Sequence, residues 1–387
     1  MNYLVFFSDI QGHNLEYCHH LYNVAFNITN VEFVFIVPCE YKNICARFDW
    51  PNASNIKFDF IDEKNVRFIK EASALKKTFL ISKVFLFYIK KYRPTASFVS
   101  TLLEIVPALP FMMFNKTKIS GIIFRIYLYD WKTSSFLRKF LDLTKMIFIS
   151  KAFCVSHALI LNDKISSRYF NQLFSTRKFE FIPDPYIPIS STKDENFRNK
   201  FNIKGNTLLF SHIGAMNYSK GTLDLLDAID CLIQKQGISN VTFAFFGKVN
   251  EDIKEDFYRR LTEIEKKANI IVYDTFCEYH TIATLCIESN LLILPYKRCA
   301  QSSGIIGYAS QFSVPVLVPN RGLLARLVSN YGLGYLYDIN EKNALANSIY
   351  KFIQEPVHQK PSREYCIANS LSSFLNKIND VIYEDIY

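Results

Sequence analysis

Short apolar runs alternate with amphipathic stretches along the whole chain. Residues 3–7, 31–37 and 56–61 are runs of the kind that buried strands show. Between the first two, Leu15, Cys18, Leu21, Tyr22 and Ala25 recur at helical spacing. The spacing predicts one long helix over 63–91, strands at 121–126 and 152–156, a helix from His157, and a strand over 179–182 stopped by Pro183 and Pro185. Residues 190–196 are polar and aperiodic and read as a linker. The rhythm then restarts with strands at 207–213, 241–246, 270–273, 291–294 and 315–319. The helices between them carry Leu225, Leu226, Ile229 and Leu232 (closed by Gly237), then span 251–267, 279–288 and 322–328. Another helix is expected over 341–354 and a helical tail over 365–383.

This pattern predicts an α/β protein of two doubly wound, Rossmann-like domains, each built on a parallel sheet. The expected boundaries are 1–188, 189–364 and a C-terminal helix over 365–387 that packs back on the first domain. In such sheets ligands bind beyond the carboxyl ends of the strands.

Length agrees, since 387 residues exceed one comfortable core. No apolar run is long enough to span a membrane, because Lys, Arg, Asn or Pro interrupts each one. Residues 1–9 lack a basic leader and a small-residue cleavage site and read as a first core strand, so a cytoplasmic protein is expected. Nine cysteines without CxxC pairs read as reduced, mostly buried thiols rather than a disulfide framework or zinc site. The formal charge of +9 favours anionic partners. Nucleic acid is disfavoured, because no arginine-rich tract or recognition motif is present. Two basic, aromatic segments, 63–91 and 131–145, fit either core helices with solvated lysine faces or peripheral contact with an anionic inner membrane face.

Candidate chemistry follows strand ends. Gly12, His13 and Glu16 come after the first strand, with no GxGxxG fingerprint. Arg125, Tyr129 and Asp130 follow the 121–126 strand, as a polar acceptor site or a surface ion pair. Gly214 to Lys220-Gly221 leaves a strand and enters a helix, where backbone N–H groups and one ammonium can cradle a phosphate. It lacks the Walker spacing, and an ordinary strand-to-helix turn is the other reading. Tyr296, Arg298, Gln301, Ser302, Ser303 and Gly304 leave another strand, and Ser-Ser-Gly can serve as a helix cap or as an anion site. Both loops lie at carboxyl ends of one expected sheet and can clamp one diphosphate. No Asp-x-Asp metal motif occurs.

On these residues the chain resembles the GT-B glycosyltransferases, closest to the retaining family 4, or group 1, enzymes that include many bacterial polysaccharide transferases. Gly214, Lys220-Gly221 and Leu225-Leu226 resemble that family's diphosphate loop, and 182–185 its interdomain strand. Pro295-Tyr296, Ser303-Gly304, Ala309, Pro315-Val316 and Gly322 resemble its donor-sugar loop. The resemblance implies two domains facing a cleft, with a UDP- or GDP-linked sugar donor on the second and a glycan or lipid-linked acceptor on the first. It implies no cofactor beyond the donor substrate and no metal. Lys220 would stabilise the diphosphate, with Tyr308 among the donor contacts, and His13 or Asp130 would orient or deprotonate the acceptor. Two departures stand out: Ala215 replaces the family's frequent arginine, and Ala300 and Tyr308 occupy the places of its paired glutamates. A nucleotide-sugar epimerase of the same fold and a non-catalytic sugar or anion binder are the alternatives.

Overall fold

The computed structural model describes residues 1–11, 13–112, 115–132, 134–190, 196–236, 240–355 and 360–387. The chain forms two compact units: Met1–Tyr127, Trp131–Asp184 and Leu371–Tyr387 in the first, Leu128–Asp130 and Pro185–Ser370 in the second.

Unit 1 is a seven-stranded sheet built from β1 (Asn2–Phe6), β2 (Glu32–Pro38), β3 (Ile56–Ile61), β4 (Ala96–Val99), β5 (Lys118–Ile123), β6 (Val155–Leu161) and β7 (Phe179–Ile182). Their order is β3-β2-β1-β4-β5-β6-β7 and every pairing is parallel. Near-continuous burial along β1, β4 and β5 is what a sheet covered on both faces requires. The last helix, Leu371–Ile386, turns Phe374, Ile378, Val381 and Ile382 into the core of this unit. The Tyr3 hydroxyl donates to buried Asp385 at 3.0 Å, tying the first strand to the last helix.

Unit 2 repeats the plan with β8 (Leu208–Ile213), β9 (Val241–Phe246), β10 (Asn269–Tyr273), β11 (Leu291–Ile293), β12 (Val316–Pro319) and β13 (Gly334–Tyr337), in the order β10-β9-β8-β11-β12-β13, again all parallel. In each sheet the order reverses beside the first strand: between β1 and β4 in unit 1, and between β8 and β11 in unit 2. Those reversals open the crevices in which such sheets bind ligands.

Several elements differ from the pattern reading. The long helix expected over 63–91 is two helices, Glu63–Glu71 and Ala74–Tyr92, because Ala72 and Ser73 are extended at the break. Asp62 caps the first by accepting from the Asn65 N–H. His157 lies inside β6 rather than opening a helix; the helix begins at Lys164, where Asp163 accepts from the Ile165 and Ser166 N–H groups. The tail is two helices, Glu364–Ala368 and Leu371–Ile386. Strands β4 and β13 were not expected: Ser97 interrupts the short run of the first, and the second opens on Gly334 and is half tyrosine. Gly237 and residues 191–195 of the linker lie outside the described residues.

Candidate functional site

The loops after β8 and β11 meet at the reversal point of unit 2. The Lys297 N–H donates to the Ser219 carbonyl at 2.9 Å. Gly221, at φ +68°, is so close to the second loop that a Cβ there would lie 1.9 Å from the Pro295 oxygen. Only glycine allows this approach. Asn217 stiffens the first loop, since its side chain accepts from the Lys220 N–H (3.0 Å) and from the Ser219 hydroxyl (2.8 Å). The second loop is anchored by the Cys299 carbonyl, which accepts from the Leu323 N–H at 2.7 Å, and by Arg321, which donates to the Lys297 carbonyl.

Lys220 Nζ stands 3.8 Å above the centroid of the buried Tyr296 ring. Among the described residues no carboxylate pairs with it. The Tyr296 hydroxyl bonds the Ser303 hydroxyl at 3.2 Å, both buried. Gly214 has φ +112°, and a Cβ there would meet no atom within 4 Å, so its outer face is open. The Gly214 N–H donates to the Phe246 carbonyl and the Met216 N–H to the Lys248 carbonyl. Among the described residues nothing accepts from the N–H groups of Ala215, Ser303 and Gly304. A cation without a carboxylate, beside such donors, suits a diphosphate.

Behind both loops lies His212, fully buried at the end of β8. Its Nδ1 is 2.9 Å from the Ile293 carbonyl and its Nε2 3.1 Å from the Thr222 hydroxyl. A carbonyl only accepts, so Nδ1 carries the proton and the neutral ring accepts from Thr222 at Nε2. Burial first, then nearby Lys220, pushes its pKa down to about 4. The imidazole thus ties β8, β11 and the first turn of the helix Thr222–Gln236 into one neutral bracket. A histidine in a mostly apolar strand, two positions before Gly214, was its signal in the sequence.

Placement of the other sequence-selected residues is mixed. Gly12 and the His13 side chain lie outside the described residues; His13 begins the helix His13–Phe26, and Glu16 stands in its first turn. Arg125 pairs with Asp142 at 3.3 Å in a part-buried ion pair. Tyr129 and Asp130 group with unit 2: the Arg326 guanidinium stands 5.2 Å from the Tyr129 ring centroid, and Asp130 acts electrostatically on Cys299. Arg298 and Gln301 are exposed and Ser302 half-buried. Ser303 turns to Tyr296 rather than capping the helix Ile305–Gln311, whose N-cap is Gly304. Tyr308 makes ring contacts with Tyr186 and Tyr279. The neighbouring Lys297 is ion-paired with Asp224 at 3.0 Å.

Sequence reading missed a second polar cluster, at the reversal point of unit 1. Ser8 follows β1, and its hydroxyl donates to Oε2 of Glu104, which ends a turn after β4. Burial holds the Glu104 carboxyl above its usual range, with Asp9 adding to the shift and Lys77 and Lys145 opposing it. No motif marks Glu104; only the position of the unrecognised strand β4 would have. Among the described residues no group of three His, Cys, Asp or Glu side chains could hold a metal ion.

Two parallel, doubly wound units have the architecture of the GT-B fold. Residues 193–372 match the family model of glycosyl transferases group 1. Similar solved structures include HepE of Anabaena in complex with UDP-glucose (TM-score 0.67, 15% identity, 99% of this chain and 100% of that one covered). An α,α-trehalose-phosphate synthase (UDP-forming) from Burkholderia vietnamiensis has TM-score 0.70 at 9% identity, with 99% and 98% covered. WaaG, a glycosyltransferase involved in lipopolysaccharide biosynthesis, has TM-score 0.62 at 13% identity, with 99% of each chain covered. At these identities the likeness is one of fold. Sequence comparison with curated proteins finds no match.

Proposed function

We propose that the protein transfers a sugar from a nucleoside diphosphate sugar, UDP- or GDP-linked, to a glycan or lipid-linked acceptor in surface polysaccharide synthesis. The loop clasp of unit 2 carries this reading: its carboxylate-free Lys220 stands beside unbonded N–H groups at the reversal point. The UDP-glucose complex of HepE and the role of WaaG are in keeping with it. As the sugar–oxygen bond breaks, negative charge grows on the diphosphate, and Lys220 with the N–H groups of Ala215, Ser303 and Gly304 would compensate it. No metal is called for where these groups supply the charge, and family likeness favours retention at the sugar carbon. The test is a thermal-shift panel of UDP-, GDP- and other nucleotide sugars. One of them should raise the melting temperature of the wild type and leave Lys220→Ala unmoved; no shift by any of them contradicts the reading.

A second observation favours work at a membrane surface. Unit 1 exposes Phe79 and Phe87 on Ala74–Tyr92 and Phe136 and Phe140 on Phe136–Lys151, with Phe136 85% exposed. Both helices pack on the turn Val106–Met112, whose Phe111 is 76% exposed. Beside Phe111, Lys90, Arg93 and Lys116 line a groove of about 660 Å³. Exposed aromatics among cations match an anionic lipid surface. No helix among the described residues is long and apolar enough to cross a membrane, so such contact would be peripheral. Co-sedimentation with phosphatidylserine vesicles, absent with phosphatidylcholine alone and weakened by salt, is the expected result.

A further inference from the structure

The last helix is fastened to the sheet of unit 1 by a cluster of ionisable groups that the proposed transfer does not use. His157 is buried in β6, and each of its ring nitrogens faces a carboxylate. Nδ1 is bonded to Oε1 of Glu180 on β7, the neighbouring strand. Nε2 stands 3.5 Å from Oε2 of Glu384 and 3.9 Å from Oδ1 of Asp385, both in the last turn of the helix Leu371–Ile386. Asp385 is fully buried. Its Oδ2 accepts from the Tyr3 hydroxyl, whereas Oδ1 has no hydrogen-bond partner among the described residues.

Ring chemistry makes this arrangement depend on one proton. A neutral imidazole has one N–H and one lone pair, so in either tautomer one carboxylate faces a lone pair. Only the imidazolium donates on both sides. With Nδ1–H held by Glu180, loss of the other proton turns a lone pair toward the buried Oδ1 of Asp385. The nearby lysines are engaged elsewhere: Lys377 with Glu180, Lys118 with the Glu384 carbonyl and Lys178 with the Ala152 carbonyl. Burial pulls the His157 pKa down, but Glu180, Asp385 and Glu384 together outweigh it and hold it above the ordinary value. Stability from a raised histidine is fully present below about pH 6.5 and is lost as pH rises through the folded pKa. The Asp385 carboxyl, raised by burial, pushes in the same direction. Burial raises Glu180 too, but His157 and Lys377 outweigh it and hold it below the usual range, so it stays ionised over that window. Burial and Asp385 keep the Tyr3 hydroxyl well above its ordinary value, so it stays neutral.

We infer that His157 is a proton-operated latch on the C-terminal helix. The imidazolium clamps Glu180, Glu384 and Asp385 together, and its deprotonation loosens the last turn of the helix from β1 and β6. Tyr3 and His157 stand in the amino-terminal halves of their strands, away from the crevice at the carboxyl ends. The latch is therefore a device of unit 1 alone, and it stands whatever ligand the crevice takes.

Amide hydrogen exchange of residues 380–387 in the full chain, corrected for the intrinsic pH dependence of exchange, tests the latch between about pH 6 and about pH 8.5. In the wild type the protection factor there should fall about tenfold or more, as loss of a charge-assisted bond implies, while that of β2 stays within about twofold. Asp385→Asn keeps the shape and the Tyr3 bond, and its amide N–H donates to the neutral ring at Nε2. Its protection should be level across the range. His157→Gln has no titrating proton and should be level as well; Asp385→Asn decides the matter alone if that variant does not fold. A wild-type protection factor constant within about twofold, or a fall in Asp385→Asn equal to that of the wild type, would overturn the inference.

Discussion

At the reversal point of unit 2, two loops are fastened to each other by backbone bonds, a glycine contact and a lysine over a tyrosine ring. At the same point in unit 1, a serine and a glutamate meet, and the neighbouring helices turn phenylalanines outward. The two sheets share one strand order over six strands, to which unit 1 adds a seventh at its edge. Their shared topology supplies a crevice in each unit, while the side chains decide what each crevice can bind. A diphosphate is small, rigid and highly charged, so holding it demands fixed N–H groups and a cation. An acceptor hydroxyl demands one well-placed oxygen, and a lipid surface demands only exposed apolar area among positive charge.

The largest effect that would break this contrast is expected at Gly221. Gly221→Ala places a methyl against the Pro295 carbonyl at a left-handed φ, with a cost of about 2–4 kcal/mol. Denaturant unfolding should show that loss, and nucleotide-sugar binding should go with it; a stable variant with intact binding would show that the loops do not act as a unit.

Acid sharpens the comparison next. Buried His212 in unit 2 and His20 in unit 1 are both pushed down to about 4, chiefly by burial. The folded chain holds each neutral where the unfolded chain already takes up a proton. The stability each contributes is therefore present above about pH 6.5 and is lost as pH falls toward 4. For His212 the loss is on the order of 3 kcal/mol. Unfolding free energies at pH 7 and pH 4.5 should differ less in His212→Asn than in wild type; an unchanged slope would contradict the buried neutral ring.

A membrane role for unit 1 predicts that Phe136→Ser with Phe140→Ser reduces vesicle binding several-fold without altering nucleotide-sugar affinity, as measured by co-sedimentation and thermal shift. Removing apolar groups already exposed in solution should leave the fold unharmed. The smallest expected effect is Tyr296→Phe, which removes one buried hydroxyl contact and leaves Ser303 without its partner, at about 1 kcal/mol in unfolding free energy.

What was legible in the sequence follows the same physical divide. Strands of five or more apolar residues, such as β2 and β9, announce themselves. The close meeting of the clasp loops left a mark in the sequence at Gly221, whose φ of +68° and approach to the Pro295 oxygen require glycine. β4 spans four residues, its run Ala96 to Val99 interrupted by Ser97, and without it the place of Glu104 beside Ser8 could not be read. Arg125 and Asp130 were selected for following a strand, but which of them meets a carboxylate or a neighbouring loop depends on contacts distant in sequence. The break at Ala72–Ser73 left only a serine as its mark, within a continuous helical periodicity.

The central claim, that the unit 2 clasp holds a nucleoside diphosphate through Lys220, is tested most directly by calorimetric titration of UDP into wild type and Lys220→Ala without added metal. Loss of one charge-assisted contact should weaken binding by about 1.5–3 kcal/mol, roughly 10- to 150-fold, with the melting temperature of the free protein lowered only by the loss of the Lys220 contact with the Tyr296 ring. Equal UDP affinity in the two proteins would contradict the account.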